Sequence, residues 1–229
     1  MKNHIFKCLW ALMFCVLAGA AHADRPVRIL YFQSPADSPE EAYLYAGPKM
    51  IGQTELPRYN FSKTFEIPNA KNKIRLTFLP KPLEEGQKIP RGAPSVIIPT
   101  QWQKVLLLVS ENKNNSTMPI KVTAINASNN VFGPGSIYMM NLSQLRIGGT
   151  IGDQKIDLQP RTVKIVKNPS NTNGVYPTKL YSVHKPGDTP QRFIRQMWGH
   201  DNQERKVLFI LPKPAPQHAT YYCAPLRDF

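Results

Sequence analysis

Beyond its first two dozen residues the chain has a single cysteine, Cys223, because Cys8 and Cys15 both fall in the opening segment. No internal disulfide is then available, which excludes small disulfide-stapled secreted scaffolds, and no C-x-x-C pair exists to hold zinc. Cys223 follows Tyr221 and Tyr222 and reads as an apolar position of a last strand. Histidine is scarce as well: His184, His200 and His218 lack the i, i+4 spacing that puts two metal ligands on one element, so no metal site is expected. Acids number only 15 against 29 Lys and Arg, which leaves few candidates for a catalytic carboxylate pair. No later stretch reaches the roughly 20 apolar residues of a membrane-spanning helix, and none has the 3.6-residue period of an amphipathic one. Only Ser38-Pro39-Glu40-Glu41-Ala42 offers a helix start, worth one short turn. A nucleophile elbow is missing too: Gly133-Pro134-Gly135-Ser136 has the wrong frame for G-x-S-x-G and runs into Ile137-Tyr138-Met139-Met140, which reads as a strand.

What the chain does have begins with an export signal. In MKNHIFKCLWALMFCVLAGAAHAD, Lys2 and Lys7 precede an apolar run, and Ala21-His22-Ala23 has the small-x-small form that signal peptidase accepts. Residues 1–23 are therefore expected to leave as a signal peptide, placing the mature chain in the periplasm, at the outer-membrane surface or outside the cell. Removing 23 of 229 residues leaves 206, and with them go two lysines, so the charge becomes 27 basic against 15 acidic, a net of +12. The excess is uneven. Residues 161–213 hold ten basic side chains and three acids, whereas residues 24–60 hold four and five. A cationic exported protein concentrates polyanions by long-range attraction. The expected partners are an anionic envelope polysaccharide, lipid head groups or an acidic protein; nucleic acid is not expected, nor is any transmembrane segment in the mature chain.

Alternation with period two dominates the pattern. Residues 73–78 (KIRLTF), 119–124 (PIKVTA) and 162–165 (TVKI) read as strands with one face in a core and one in water. Residues 27–32 (VRILYF), 104–109 (KVLLLV) and 207–211 (VLFIL) are denser in apolar side chains and read as central strands covered on both sides. Prolines, 22 in all, fall mostly between these runs, where they end strands and blunt edges. Short strands with a turn signal about every ten residues predict an all-β antiparallel sandwich. A loose two-part rhythm divides it into immunoglobulin-like halves, residues 24–114 and 115–229, as two domains or as one with a shared core.

Residues 146–153, RIGGTIGD, raise the question of a phosphate-binding loop, which needs a helix N-terminus after the glycines. After Gly152 the chain reads Asp153-Gln154-Lys155-Ile156-Asp157-Leu158, alternating and closed by Pro160. The reading is a hairpin with Gly152-Asp153 at its turn, and no cofactor is expected. Trp198, His200 and Asp201 form a candidate ligand-contacting loop at the tip of a hairpin from residues 191–198 to 205–211, where an indole can stack on a sugar ring. The candidate anionic-partner surface is Lys164, Lys179, Lys185, Arg205 and Lys206. Arg192 and Arg195 have opposite parity, so a regular strand sends only one of them to water, the other pairing at the core edge with Glu204.

Two stretches carry a resemblance. VRILYFQSPADSPEEAYLY, residues 27–45, is similar to the opening of exported bacterial β-sandwich domains of unknown function. SIYMMNLSQLRIGGTIGDQKIDLQPRTVKIV, residues 136–166, resembles uncharacterised envelope proteins with an Asn-Leu-Ser strand end, a Gly-Gly hairpin and a Pro-bounded strand. The glycine usual after such a proline is Arg161 here. The resemblance implies a sandwich fold and an envelope address, and it brings no catalytic residues. Length, charge and signal peptide also resemble periplasmic pilus chaperones, tandem immunoglobulin-like domains that hold a subunit by strand addition; the basic pair and exposed strand of that family are not evident in this sequence. The expected function is a non-enzymatic binding or structural protein of the cell envelope, with a pilus-type chaperone and a secreted carbohydrate-active enzyme as the alternatives.

Overall fold

The computed structural model describes residues 24–69, 73–170, 174–184, 187–214 and 219–227; the expected signal peptide, residues 1–23, and Lys185 lie outside the described residues. The chain is all-β, as its alternation predicts. The first eight strands are β1 (Arg25–Tyr31), β2 (Glu41–Ala46), β3 (Lys49–Glu55), β4 (Phe65–Ile67), β5 (Ile74–Leu79), β6 (Ser95–Ile98), β7 (Val105–Glu111) and β8 (Ile120–Asn126). A single-turn helix α1 (Asn129–Phe132) leads to β9 (Ile137–Asn141), β10 (Arg146–Ile151), β11 (Gln154–Leu158), β12 (Val163–Val166), β13 (Gly174–Val183), β14 (Gln191–His200), β15 (Arg205–Pro212) and β16 (Ala219–Leu226). Residues 38–42 start no helix: Ser38 N–H donates to Pro35 O in a turn, and Glu41 already opens β2.

Four sheets result, and they come in matched pairs. The first half forms β4-β1-β7-β8 and β3-β2-β5-β6; the second forms β12-β9-β15-β16 and β11-β10-β13-β14. Each strand of the second half occupies the place of the strand eight earlier, including one parallel pair per half, β1 with β7 and β9 with β15. The loose two-part rhythm of the sequence is thus a full topological repeat. The boundary expected at 114/115 is corrected: β8 lies beyond it and pairs with β7 from Val105↔Asn126 to Glu111↔Ile120, so the changeover falls at α1. Residues 112–117 are polar because they close that hairpin. Asn115 Oδ1 accepts from the N–H groups of Thr117 and Met118 there.

The halves stack as four layers. In β7, Val105, Leu107 and Val109 enter the core of the first half, while Leu106 and Leu108 on the opposite face enter a core shared between the halves. In β15 the same division sends Leu208 and Ile210 into the second half's own core and Val207 and Phe209 into the shared one. Continuous apolar runs in β1, β7 and β15 reflect this: both faces are buried. Phe32 of the first half stacks on Phe209 of the second with ring centroids 3.9 Å apart. The inner strands β1, β7, β9 and β15 each have two hydrogen-bonded neighbours, while β4, β8, β12 and β16 form the edges of these two sheets.

Two sequence features acquire reasons. The Asn-Leu-Ser strand end is a buried polar knot: Asn141 donates to Leu145 O at 2.7 Å and accepts from the Ser143 hydroxyl at 2.7 Å. The Gly-rich stretch is the β10–β11 hairpin, with Gly152 at φ +56 in its two-residue turn. A Cβ on Gly149 would sit 2.0 Å from the carbonyl oxygen of Lys179, so glycine is what lets β13 pair at that position.

Candidate functional site

Of the five cations expected to form one anionic-partner surface, the four among the described residues, Lys164, Lys179, Arg205 and Lys206, do not share a face. Arg205 is corrected outright: it is buried, 2% exposed, at the edge of the shared core. Its parity on β15 matches that of Val207 and Phe209, which point at the first half. Its guanidinium donates to Ala127 O, to Phe132 O at 2.6 Å and to Asn129 Oδ1 at 2.8 Å, tying down the segment that joins the halves. Lys206 is half-buried; it pairs with Glu204 at 3.4 Å and donates to Gly199 O. Lys164 is half-buried on β12, near enough to Asp157 to help hold its carboxyl down. Lys179 alone stands as expected, exposed on β13.

The Trp198–His200–Asp201 loop is likewise corrected. β14 pairs with β13 and not with β15, so residues 201–204 carry the chain from the outer sheet to the inner one instead of closing a hairpin. Trp198 is half-buried against the ring of Tyr221, 5.8 Å between centroids, and His200 is buried edge-on to Tyr176. Asp201 accepts from Gln203 N–H at 2.8 Å and pairs with Arg227 at 3.5 Å. These three side chains build a corner where the chain changes sheets. Cys223 sits half-buried on β16; burial pushes its thiol up to about 11, with Lys206 opposing and Glu204 adding.

The sheet register assembles a different cationic group. Lys155 on β11 lies opposite Thr150 on β10, Thr150 opposite Lys179 on β13, and Lys179 opposite Arg195 on β14. All four have the parity opposite to Ile147, Ile151, Ile156, Leu180 and Ile194, which fill the core, so they form one row across the outer face. Strands about 4.8 Å apart make the row roughly 14 Å long. Arg192 joins the same face because β14 is irregular beside Leu180/Tyr181, which sets Arg192 opposite Tyr181 and leaves Phe193 without a partner in the register. Both Arg192 and Arg195 are therefore exposed, and Glu204 is engaged instead by Lys206 and Arg227.

Little on this face cancels the charge. Its acid, Asp157, is held bidentate by Arg146 at 2.8 and 2.7 Å, and the hydrogen bond from Arg146 lowers its pKa below the usual carboxylate range. Among the described residues no ion pair reaches Lys155, Lys179, Arg192 or Arg195. Gly148 and Thr150 keep the outer face of β10 low between the long cationic side chains of β11 and of β13 and β14.

The concavities lie elsewhere. A cavity of about 370 Å³ opens at the seam between the halves, walled by Phe32, Tyr59, Leu211 and Tyr222, with Arg58 directed to Ala36 O, Ser38 O and Glu40. Next to it a recess of about 410 Å³ gathers Glu40, Glu41 and Glu55 around Arg58, which pairs with Glu40 at 3.6 Å. Among the described residues no cluster of three or more His, Cys, Asp or Glu could hold a metal ion, and no helix is long and apolar enough to cross a membrane. Sequence reasoning missed Lys155 and Arg195. The alternation in residues 154–158 held the signal for Lys155, whereas Arg195 joins the row only through the β13–β14 register, which no local pattern encodes. No family model matches the chain, and no curated protein matches it in sequence.

Proposed function

We propose that this is an exported, non-enzymatic binding protein of a bacterial cell envelope that takes an anionic partner on the outer face of its second half. The observation that carries the reading is the Lys155–Thr150–Lys179–Arg195 row, with Arg192 beside it. Cations held a strand apart without acid partners cost stability through mutual repulsion and are satisfied by a bound anion. The recess of the first half, with three glutamates to one arginine, draws the same partner less, so the field favours docking on the second half. The small-x-small site at residues 21–23 and the resemblance of residues 27–45 and 136–166 to envelope sandwich domains support the address. Strand addition of the chaperone kind is the less favoured reading, because the two inner sheets close on a shared apolar core and their central strands β1, β7, β9 and β15 are each paired on both sides.

Retention on immobilised dextran sulfate at low salt tests the proposal. Wild type is expected to bind, and the Lys155→Gln, Lys179→Gln, Arg195→Gln triple variant to elute early. Equal retention of the two proteins, or none for wild type, counts against it.

A further inference from the structure

The same outer face carries apolar side chains that a soluble polyanion does not need. Going along β13 the outward positions are Val175, Pro177, Lys179 and Tyr181, and along β14 they are Gly199, Met197, Arg195 and, past the irregularity, Arg192. Pro177 lies opposite Met197, one rung from the Lys179–Arg195 rung, and Val175 lies one rung further. Val175 is 66% exposed and Met197 59% exposed, two of the largest exposures of big apolar side chains in the described structure. Rungs two residues apart are separated by about 6.6 Å, so the apolar end and the cationic row fall within one side-chain length of each other. Single exposed apolar side chains are ordinary on a soluble surface, but Val175, Pro177 and Met197 adjoin on two neighbouring rungs directly beside the cations, the apolar patch with a charged rim that marks an interaction surface.

From this juxtaposition we infer that the anionic partner is a lipid bilayer surface. The basic row meets head-group phosphates, and Val175, Pro177 and Met197 enter the boundary beneath them. Phosphates and hydrocarbon are adjacent layers there, and an interfacial element sinks its apolar side about 5–10 Å into that boundary. Long Lys and Arg stems lie along the apolar layer while their charged ends reach the phosphates. The sheet suits this contact because its exposed face is low along β10 at Gly148 and Thr150, and its main-chain groups are paired within the sheet except along the outer edges of β11 and β14. This inference rests on the anionic-partner reading and narrows it to one surface.

The test uses exported protein, vesicles of phosphatidylcholine and phosphatidylglycerol in equal parts, vesicles of phosphatidylcholine alone, and soluble dextran sulfate. Wild type is expected to sediment with the mixed vesicles and not with the neutral ones. Val175→Ser with Met197→Ser should weaken vesicle binding by at least roughly tenfold, given what burying two such side chains contributes, while leaving dextran sulfate binding unchanged. Both substituted positions are exposed, and circular dichroism checks that the variant keeps its fold. If wild type binds dextran sulfate but no vesicle, or the double variant binds vesicles as tightly as wild type, the bilayer inference falls and the anionic-partner reading stands. Should wild type bind neither the vesicles nor dextran sulfate at low salt, both the row's role and the bilayer inference are overturned.

Discussion

Lys179 and Arg195 stand directly opposite one another on β13 and β14, two exposed cations on neighbouring strands with no ion-pair partner among the described residues. Like charges in that position destabilise a sheet by about 0.2–1 kcal/mol. Replacing Lys179 by Glu removes the repulsion and supplies a cross-strand pair, so the melting temperature should rise by roughly 1–3 °C. Binding to dextran sulfate should weaken in the same variant. A gain in stability together with a loss of binding marks a surface kept for its ligand; an unchanged or lowered melting temperature speaks against the repulsion.

Arg205 is the opposite case, a cation used inside. Arg205→Met keeps much of the side-chain volume but leaves the carbonyl oxygens of Ala127 and Phe132 without their donor. The expected loss is about 2–4 kcal/mol by urea unfolding, since orphaned buried acceptors carry their full desolvation penalty. Dextran sulfate binding, measured well below the melting temperature, should not change. A stable variant with weakened binding would return Arg205 to the surface role its charge suggests.

Backbone conformation gives a paired prediction. Arg161 adopts φ +61 at the position where a glycine is usual after the proline, so Arg161→Gly should stabilise the protein by about 1 kcal/mol. Gly152 at φ +56 is the converse: an added Cβ would lie 1.8 Å from Pro169 O, contact that main chain must move to relieve. Gly152→Ala should cost about 2 kcal/mol or more, read from the same unfolding curves.

How far the sequence reached can be judged from these residues. The strands were legible because burial writes alternation into one-sided strands and continuous apolar runs into β1, β7 and β15, whose two faces are both covered. The β10–β11 hairpin was legible from Gly152-Asp153. The order of strands was not, since β13 pairing with β14 and β14 crossing to β15 depend on contacts far apart in the chain. Charge counting pointed to the half that carries the cationic row, yet it could not separate Arg205, which faces Phe132 inside, from Arg195, which faces water. Parity misled at Arg192 because the β14 irregularity shifts the pleat there.

Cys223 offers a pH prediction. Its thiol, raised to about 11 chiefly by burial, is protonated at neutral pH and should react with a disulfide reagent at pH 8 much more slowly in the folded protein than after unfolding. Because the folded pKa lies above the unfolded one, its contribution to stability is intact below the unfolded value and is lost as pH rises through about 11. Cys223→Ser should flatten that alkaline limb. Rapid labelling of the native thiol contradicts the burial of Cys223.

The most direct test of the cationic row is the salt dependence of dextran sulfate binding, compared between wild type and the Lys155→Gln, Lys179→Gln, Arg195→Gln variant. Each cation that displaces counterions from a polyanion adds close to one unit to the slope of log affinity against log salt. The row therefore predicts a steep wild-type slope that becomes shallower by about three in the triple variant. Parallel slopes for the two proteins would contradict it, placing the anionic partner somewhere other than the outer face of β11-β10-β13-β14.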